Sequence, residues 1–289
     1  MENIKFRKVK MVLLTILFVN LAVAALKIII GSSIHSASMT ADGFHSLTDG
    51  SSNIIGLIGV YFASKSRDEK HPYGHGKFET LAGLVIGGML LVLGGKIVMD
   101  AIHRFFNPKT LQVSFESLIV LIATLLVNIF VSAYEYNQGK KLNSTILISD
   151  SLHTRSDIFV SLGVLITLAC IKLGLPPIID PIASLVVSGF ILHASWEIFR
   201  SVSGVLVDRA VVGVEEIKEI IMEFDTVKDV HDIRSRGNGD DLYIDMHVMT
   251  EPDMSVEQSH ALTHEIEDRI QEEVSKKAQV IVHLEPYYD

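Results

Sequence analysis

The sequence predicts an all-α membrane bundle of six helices, followed by a C-terminal cytoplasmic α+β domain with the element order α-β-β-α-β. Three observations support this prediction. The mean hydropathy is +0.38, a value typical of membrane proteins. Six apolar stretches are each long enough to span a bilayer. Residues 204–289 hold 8 Lys and Arg against 21 Asp and Glu, a net charge of −13, whereas the preceding residues are net positive.

The six predicted spans occupy most of the first 203 residues. About 20 apolar residues in a helix cross the hydrocarbon core. The predicted spans lie near 9–31, 37–64, 79–102, 114–136, 144–171 and 177–202. We therefore expect a transmembrane transport domain over residues 1–203 and a cytoplasmic metal-binding dimerisation domain over 204–289.

Lys and Arg residues outside the spans predict the orientation in the membrane. Ten of them fall on the side that contains the N-terminus, and three fall on the other side. Cytoplasmic loops carry the excess of Lys and Arg. The prediction is a multi-pass protein of the cell inner or plasma membrane with both termini in the cytoplasm. Lys27, Lys96, Arg155 and Arg200 lie inside the spans and do not count toward either side.

The acidic segment shows the patterns of a small α+β domain. Residues 213–224 alternate charged and apolar side chains at helical spacing. Residues 227–234 and 242–249 alternate as strands, joined by the turn residues 236–240. Ser255 is placed to cap a helix that runs to about Lys277, and residues 279–285 form a last strand. An acidic domain attracts cations and repels nucleic acid, so no nucleic-acid partner is expected.

One motif, D-x2-H-x3-D, occurs in both the second and the fifth predicted span. Ionisable residues inside a membrane are costly and are functional candidates by default. A His and an Asp four residues apart lie on one helix face, so two such pairs offer two nitrogens and two oxygens. This donor set suits Zn²⁺ and, less selectively, Co²⁺ or Cd²⁺. The four residues are His45, Asp49, His153 and Asp157.

The structural alternative for the same four residues is a pair of intrahelical His–Asp hydrogen bonds that hold the bundle together. The matching pairs on two membrane helices favour a metal site instead. Because metal binding releases protons from its ligands, exchange of protons for metal follows as a physical possibility. Asp42 and Asp150, which begin the two motifs, are either helix-end residues or intermediate stations for ions.

Two further clusters have metal-ligand spacing. The loop after the second span contains Asp68, His71 and His75 on a turn rich in Gly and Pro. Its alternative interpretation is a charged loop with solvated histidines. In the acidic domain, strand alternation places His and Glu side chains on the face opposite the apolar one. The second cluster comprises His231, His247, His260, His283 and Glu285, with His264 one turn after His260. Its alternative is a set of scattered surface histidines.

The motifs resemble those of the cation diffusion facilitator family of metal/proton antiporters, and specifically its bacterial zinc/cadmium type. The resemblance covers essentially the whole chain. It rests on H-x3-D in the second and fifth spans, on the loop His71-Pro-Tyr-Gly-His75-Gly-Lys77-Phe-Glu79, and on His231-Asp-Ile-Arg234. Some bacterial members of the family carry Asp at the position of His45, and the histidine here resembles the zinc/cadmium type more than the manganese type.

The resemblance implies the roles of the candidate residues. It implies a transport site of His45, Asp49, His153 and Asp157, a loop site of Asp68, His71 and His75, and a cytoplasmic binuclear site of His231, His247, His260, His283 and Glu285. It also implies that the binuclear site supports a homodimer.

Together, the residues and the resemblance predict secondary active efflux of divalent transition-metal cations from the cytoplasm in exchange for protons. Zn²⁺ is the expected substrate and also a regulatory ligand, with Cd²⁺ and Co²⁺ as further substrates. The partners are a second copy of the chain, membrane lipid and divalent metal ions. The alternatives are export of Fe²⁺ or Mn²⁺, and a membrane metal sensor. An intramembrane metalloenzyme is a third alternative, but four ligands would close the site to a reacting water. The protein is therefore not expected to be an enzyme.

Overall fold

The computed structural model describes residues 2–33, 46–47, 50–106, 115–174, 176, 178–238 and 241–288. The chain divides into two compact units, Met1–Val202 and Ser203–Asp289. His45 and Asp49 of the predicted transport site lie outside the described residues, as does Asp42.

In the described residues, all regular secondary structure of the first unit is α-helical. Its helices in the described residues are α1 (Glu2–Ser33), α2 (Ser51–Ala63), α3 (Lys77–Phe106), α4 (Phe115–Lys141), α5 (Thr145–Lys172) and α6 (Ile179–Leu206). The sixth continues a few residues past the boundary between the units.

Four of these helices are long and apolar enough to cross a membrane. The candidate spans are Ile4–Ile30, Lys77–Phe106, Leu118–Lys141 and Ile179–Leu206. The other two helices differ from this pattern for separate reasons. The described part of α2 has only 13 residues. By contrast, α5 is long enough at 28 residues, but it carries polar and charged side chains, Asp150 and Asp157 among them. The structure thus establishes four strongly apolar helices rather than the predicted count of six spans.

Helices α1, α2 and α5 share a tightly packed core. Leu13 of α1 and Ile146 and Leu147 of α5 are completely buried in it, beside Val60 of α2. Small residues let helix backbones approach closely in membrane proteins. Gly59 of α2 is such a residue, because a Cβ atom there would collide with the Cβ of Ala82 in α3 and contact Ile146.

A Gly59→Ala substitution should therefore destabilise the helical unit. Overpacking of a tight interior costs about 1–3 kcal/mol, since backbone and side chains must shift to make room. Thermal unfolding in detergent measures the effect. Gly88→Ala is the matched control, because a Cβ atom at Gly88 meets nothing within 4 Å. Equal unfolding temperatures for the two variants would contradict the close packing of α2 against α3.

The second unit has the predicted order of elements. It contains α7 (Val214–Ile221), β1 (Val227–Asn238), β2 (Asp241–Thr250), α8 (Val256–Glu273) and β3 (Gln279–Pro286). The sheet order is β1-β2-β3, with β1 antiparallel to β2 and β2 parallel to β3. The strand β1 runs four residues further than predicted, because residues 236–238 pair with β2 and do not form the turn.

One face of this sheet packs against both helices of the unit. The alternate residues Ile244, Met246 and Val248 of β2 are buried in a core with Ile217 of α7 and Ile266 of α8. The side chain of Ser255 accepts a hydrogen bond from the backbone of Gln258, whose side chain bonds back to complete a capping box. The predicted helix start is thus confirmed, whereas the helix ends at Glu273, before the predicted Lys277. The opposite face of β2 carries His247.

Candidate functional site

His153 and Asp157, one turn apart on α5, line the same small polar cavity inside the helical unit. The cavity has a volume of about 40 Å³ and is also lined by residues of α1, α2 and α4. A site of this size accommodates an ion or a few water molecules. The structure thus brings together the half of the predicted transport site that it describes.

The imidazole of His153 is buried without a partner. Only 6% of the residue is exposed, and neither ring nitrogen has a hydrogen-bond partner in the described part of the chain. A buried polar group left unsatisfied costs about 1–3 kcal/mol. A cation that is coordinated by the lone pair of an imidazole nitrogen would reduce this cost.

Lys27 of α1 lines the same cavity and was not among the residues that the sequence patterns indicated. Its exposed fraction is 8%, and its Nζ donates a hydrogen bond of 2.9 Å to Oγ of Ser46. Ser46 directly follows His45 in the sequence. The structure therefore places a lysine beside His153 and Asp157, in contact with the segment that carries the other predicted ligands. The signal that could have found it is the rarity of lysine inside a membrane span.

A buried polar chain leads from α1 to α5 beside this cavity. Asn20 donates a hydrogen bond of 3.0 Å to the side chain of Asn53, which in turn donates to Asp150. Asp150, three residues before His153, is completely buried and is not a solvated helix end. The carboxyl of Glu135 on α4 lies beside it and accepts a hydrogen bond of 3.1 Å from Thr154.

This carboxyl pair was also not anticipated from the sequence. Glu135 is completely buried, and one oxygen each of Glu135 and Asp150 has no hydrogen-bond partner among the described residues. Buried charges are paired or coordinate a metal in proteins. Two carboxyl groups side by side in a membrane unit therefore need a compensating positive charge, which a proton or a metal cation can supply.

The loop between α2 and α3 gathers the second predicted cluster. One ligand atom from each of Asp68, His71 and His75 lies within 4.8 Å of the other two. Nδ1 of His71 is 3.1 Å from Oδ1 of Asp68, and Nε2 of His75 is 3.5 Å from Oδ2. His75 is buried, whereas Asp68 and His71 are exposed, so the group is open on one side. A cation could thus enter from that side.

Backbone N–H groups of this loop stabilise the ionised carboxylate of Asp68. The N–H of His71 donates to it at 2.7 Å, which is the largest cause that lowers the pKa of Asp68 below its usual value. The side chain of His71 and the N–H of Lys70 act in the same direction. The carboxylate therefore stays ionised, as a metal ligand must be.

Glu79, four residues after His75, ties the loop to α5. It is 2% exposed and accepts hydrogen bonds from the hydroxyl of Ser144 and from the backbone N–H groups of Thr145 and Ile146. A carboxylate at the first N–H groups of a helix is stabilising. Nζ of Lys5 lies 3.9 Å from the same carboxylate. Glu79 thus joins the start of α3 to the start of the helix that carries His153.

In the second unit, three histidines form a row across the sheet. His231 of β1 pairs in register with His247 of β2, which pairs with His283 of β3. Glu285 completes the group, with Oε1 at 2.8 Å from Nδ1 of His247 and Oε2 at 3.3 Å from Nε2 of His231. His231, His247 and Glu285 each offer a ligand atom within 4.8 Å of the others. Nε2 of His283 lies 3.7 Å from the same carboxylate.

His260 is not part of this row. It lies on α8, which packs against the apolar face of the sheet, whereas His247 occupies the opposite face. In the described structure, Nε2 of His260 lies 3.2 Å from Nε2 of His264. The predicted five-residue group is therefore divided within one chain into the sheet row and a separate helical histidine pair.

Comparison with known proteins yields two family models that together match nearly the whole chain. The cation efflux transmembrane domain matches residues 13–207, and the cytoplasmic domain of cation efflux proteins matches residues 212–287. The boundary between the two matches falls within ten residues of the boundary between the compact units.

Three relatives are similar to the chain over most of their length. A transporter from Methanocaldococcus jannaschii is 33% identical, over 96% of this chain and 99% of that protein. The manganese efflux system protein MneS of Bacillus subtilis is 31% identical, over 92% and 91%. The zinc transporter ZitB of Yersinia pestis is 29% identical, over 81% and 74%. The relatives thus include a manganese efflux protein and a zinc transporter.

Proposed function

The chain belongs to the cation diffusion facilitator family of divalent-metal efflux transporters, and from this premise we propose that it exports Zn²⁺ from the cytoplasm in exchange for protons. The protein is accordingly a multi-pass membrane transporter and not an enzyme. The proposal includes the metal, the counter-ion and the residues that bind them.

The buried imidazole of His153 is the observation on which the zinc assignment depends. Its two nitrogens have no hydrogen-bond partner among the residues that the structure describes, and they lie in a cavity that Asp157 also lines. Imidazole is a preferred ligand of Zn²⁺, whereas Mn²⁺ and Mg²⁺ prefer sites built of oxygens. His45 and Asp49 complete a site of two nitrogens and two oxygens in this proposal, which a divalent cation renders electrically neutral.

Proton exchange follows from the charge of the same site. When the metal leaves, the carboxylates of Asp49 and Asp157 need another positive charge in a medium of low dielectric constant. Protons supply it, and the binding of the next metal ion releases them. The neighbouring Glu135 and Asp150, two buried carboxyl groups beside the cavity, offer a second place for a proton in this proposal.

We place all six long hydrophobic segments across the membrane, although among the described helices only four are candidate spans by length and composition. The 28 residues of α5 exceed the length needed, and its polar side chains line the cavity and the buried network. The 13 described residues of α2 reach only about 20 Å, and the proposed span is the whole stretch 37–64 predicted from the sequence. The excess of Lys and Arg in the connecting loops supports a cytoplasmic location of both termini.

The loop cluster and the sheet row have regulatory roles in this proposal. The group of Asp68, His71 and His75 is half open to solvent, which suits reversible binding of Zn²⁺. The row of His231, His247 and His283 with Glu285 binds Zn²⁺ on the acidic domain. The chain forms a homodimer through that domain, whose match to the family's cytoplasmic domain supports the assignment.

Manganese is the second candidate substrate. MneS, a manganese efflux protein by name, is 31% identical over 92% of this chain. Competition in one preparation separates the candidates: excess Mn²⁺ leaves zinc transport nearly unchanged if the site is built for zinc, and blocks it if the site is built for manganese.

Zinc uptake into proteoliposomes with an acidic lumen tests the exchange. We expect Zn²⁺ to enter through copies whose cytoplasmic face is outside, and the lumenal pH to rise as it enters. Fluorescent zinc and pH indicators follow both in one sample. A protonophore control should abolish the driving force and slow uptake. Zinc entry with no accompanying change of lumenal pH would refute the antiport.

A further inference from the structure

We propose that the groove between α1 and α4 binds one phospholipid with an anionic headgroup, whose acyl chain lies in the groove. Both helices contain candidate membrane spans, so the groove faces the interior of a bilayer. Side chains of the two helices enclose a space of about 410 Å³. They are Thr15, Ile16 and Val19 of α1 and Leu126, Val127, Phe130, Val131 and Tyr134 of α4.

The surface of the groove suits a hydrocarbon chain. Ile16 and Val131 are buried beneath it, with exposed fractions of 2% and 4%. The rings of Phe130 and Tyr134 lie nearly parallel, with centroids 6.5 Å apart, and form one wall. On the α1 side, the hydroxyl of Thr15 donates to the carbonyl of Met11 at 2.9 Å and is therefore satisfied within its own helix.

Two lysines continue the rows of side chains that line the groove. Lys8 precedes Thr15 by seven residues, and Lys141 follows Tyr134 by seven residues. Residues seven apart lie on the same face of a helix. Both lysines are exposed, and neither has an ion-pair partner among the residues that the structure describes.

The two lysines lie at the same end of the groove. Nζ of Lys5 donates a hydrogen bond of 3.0 Å to the carbonyl of Asn143, so the start of α1 lies beside the end of α4. Seven residues of helix rise about 10 Å, which places both lysines beyond the apolar lining. Lysine side chains near helix ends extend their charge into the headgroup region. An acyl chain in the groove therefore brings its phosphate to this pair of ammonium groups.

The lysines, and not the groove, determine which lipid is preferred. Lipid tails are as apolar as the side chains that line the groove, so the lining alone does not distinguish one phospholipid from another. Each lysine near a membrane surface strengthens the binding of an anionic lipid about fivefold. A phospholipid with a net negative headgroup is thus favoured over a zwitterionic one.

Native mass spectrometry of the delipidated full-length protein in detergent tests this preference. Phosphatidylglycerol and phosphatidylcholine with identical acyl chains are the anionic and the zwitterionic probes. We expect one phosphatidylglycerol per chain to bind about tenfold or more tightly than phosphatidylcholine. The double variant Lys8→Gln/Lys141→Gln should bind both lipids alike. The matched control, Lys10→Gln/Lys140→Gln, removes the same charge from the same helix ends outside the two rows and should keep the preference.

A second pair of variants tests the groove itself. Phe130→Ala removes part of its wall and should lower the fraction of protein that retains phosphatidylglycerol. Phe18→Ala is the matched control, because Phe18 of α1 is 70% exposed, close to the 73% of Phe130, and does not line the groove. Glycerol phosphate carries the anionic group without acyl chains and should not displace the lipid. Thermal unfolding of every variant verifies that it is folded.

Several results would overturn the inference. Equal binding of the two lipids by wild type would remove the preference, and equal losses in the two double-lysine variants would indicate a diffuse charge effect. Displacement of the lipid by glycerol phosphate would mean that the groove does not hold the acyl chain. Unchanged lipid binding in Phe130→Ala would place the lipid elsewhere, and a lower dimer fraction in that variant would assign the groove to a second copy of the chain.

Discussion

Replacing His153 with alanine is expected to reduce zinc export about 100-fold or more, while the metal-free protein remains as stable as wild type. Loss of residues that merely orient a metal ligand already costs about 10–100-fold in affinity or activity, and His153 is proposed as a ligand itself. Stability should not fall, because neither ring nitrogen of His153 has a hydrogen-bond partner in the described residues. An unsatisfied buried polar group costs about 1–3 kcal/mol, so its removal offsets the packing that is lost with the ring.

Zinc uptake into proteoliposomes and thermal unfolding in a chelator measure the two halves of this prediction. His193→Ala is the matched control, because His193 lies on α6 with a side chain that is 69% exposed. We expect this control to transport zinc at the wild-type rate. If His153→Ala also transported at that rate, the cavity would not be the transport site. If instead it unfolded at a much lower temperature, the role of His153 would be structural.

The second compact unit is predictable from local sequence patterns. Alternating apolar residues in β2 identify the buried face, and the capping residue Ser255 marks the start of α8. The ends of the elements are less predictable. Residues 236–238 have the composition of a turn because two glycines surround Asn238, yet backbone pairing with β2 extends the strand through them. Tertiary pairing here prevails over local turn propensity.

The position of His260 could not be predicted from linear spacing. Spacing in the sequence does not reveal which face of a sheet a helix covers. The sequence patterns and the resemblance to the family both grouped His260 with the other histidines, although α8 packs on the face opposite His247. The separation of His260 from His247 is apparent only when β1, β2 and α8 are packed together in three dimensions. The row of His231, His247 and His283 follows more directly, since strand alternation alone sets the faces.

Two charged residues beside the cavity were not predicted, for a different reason. Lys27 and Glu135 each interrupt an apolar run, and a count of spans tolerates such interruptions as exceptions. Lys27 is 8% exposed and Glu135 is 0% exposed, so both residues are buried in the helical unit. An ionisable group in a membrane is costly whether it belongs to a repeated motif or stands alone. If every charged residue inside a predicted span is treated as a functional candidate, both Lys27 and Glu135 are identified.

Replacing Lys27 with methionine is expected to raise the apparent affinity for Zn²⁺ about tenfold or more and to slow turnover. Lys27 shares the cavity with Asp157, so its ammonium group opposes an arriving cation and offsets the negative charge of the empty site. Two unit charges about 4 Å apart interact by about 4 kcal/mol at an effective dielectric constant of 20, and a tenfold change in affinity needs only about 1.4 kcal/mol. Tighter binding without Lys27 would also hold the metal longer before release.

The same reasoning fixes the controls for Lys27. Lysine-to-arginine substitution keeps the charge, so Lys27→Arg should bind zinc nearly as wild type does, whereas a purely steric role would be disturbed by the larger guanidinium. Lys96→Met removes a lysine that is exposed on α3 and should change neither affinity nor turnover. Zinc affinity in detergent and initial rates in proteoliposomes distinguish these outcomes.

Unchanged affinity in Lys27→Met would mean that the hydrogen bond to Ser46, and not the charge, is what Lys27 contributes. A lysine so placed weakens the attraction between the cavity and the cation, which favours release of a metal ion that the transporter must both bind and give up.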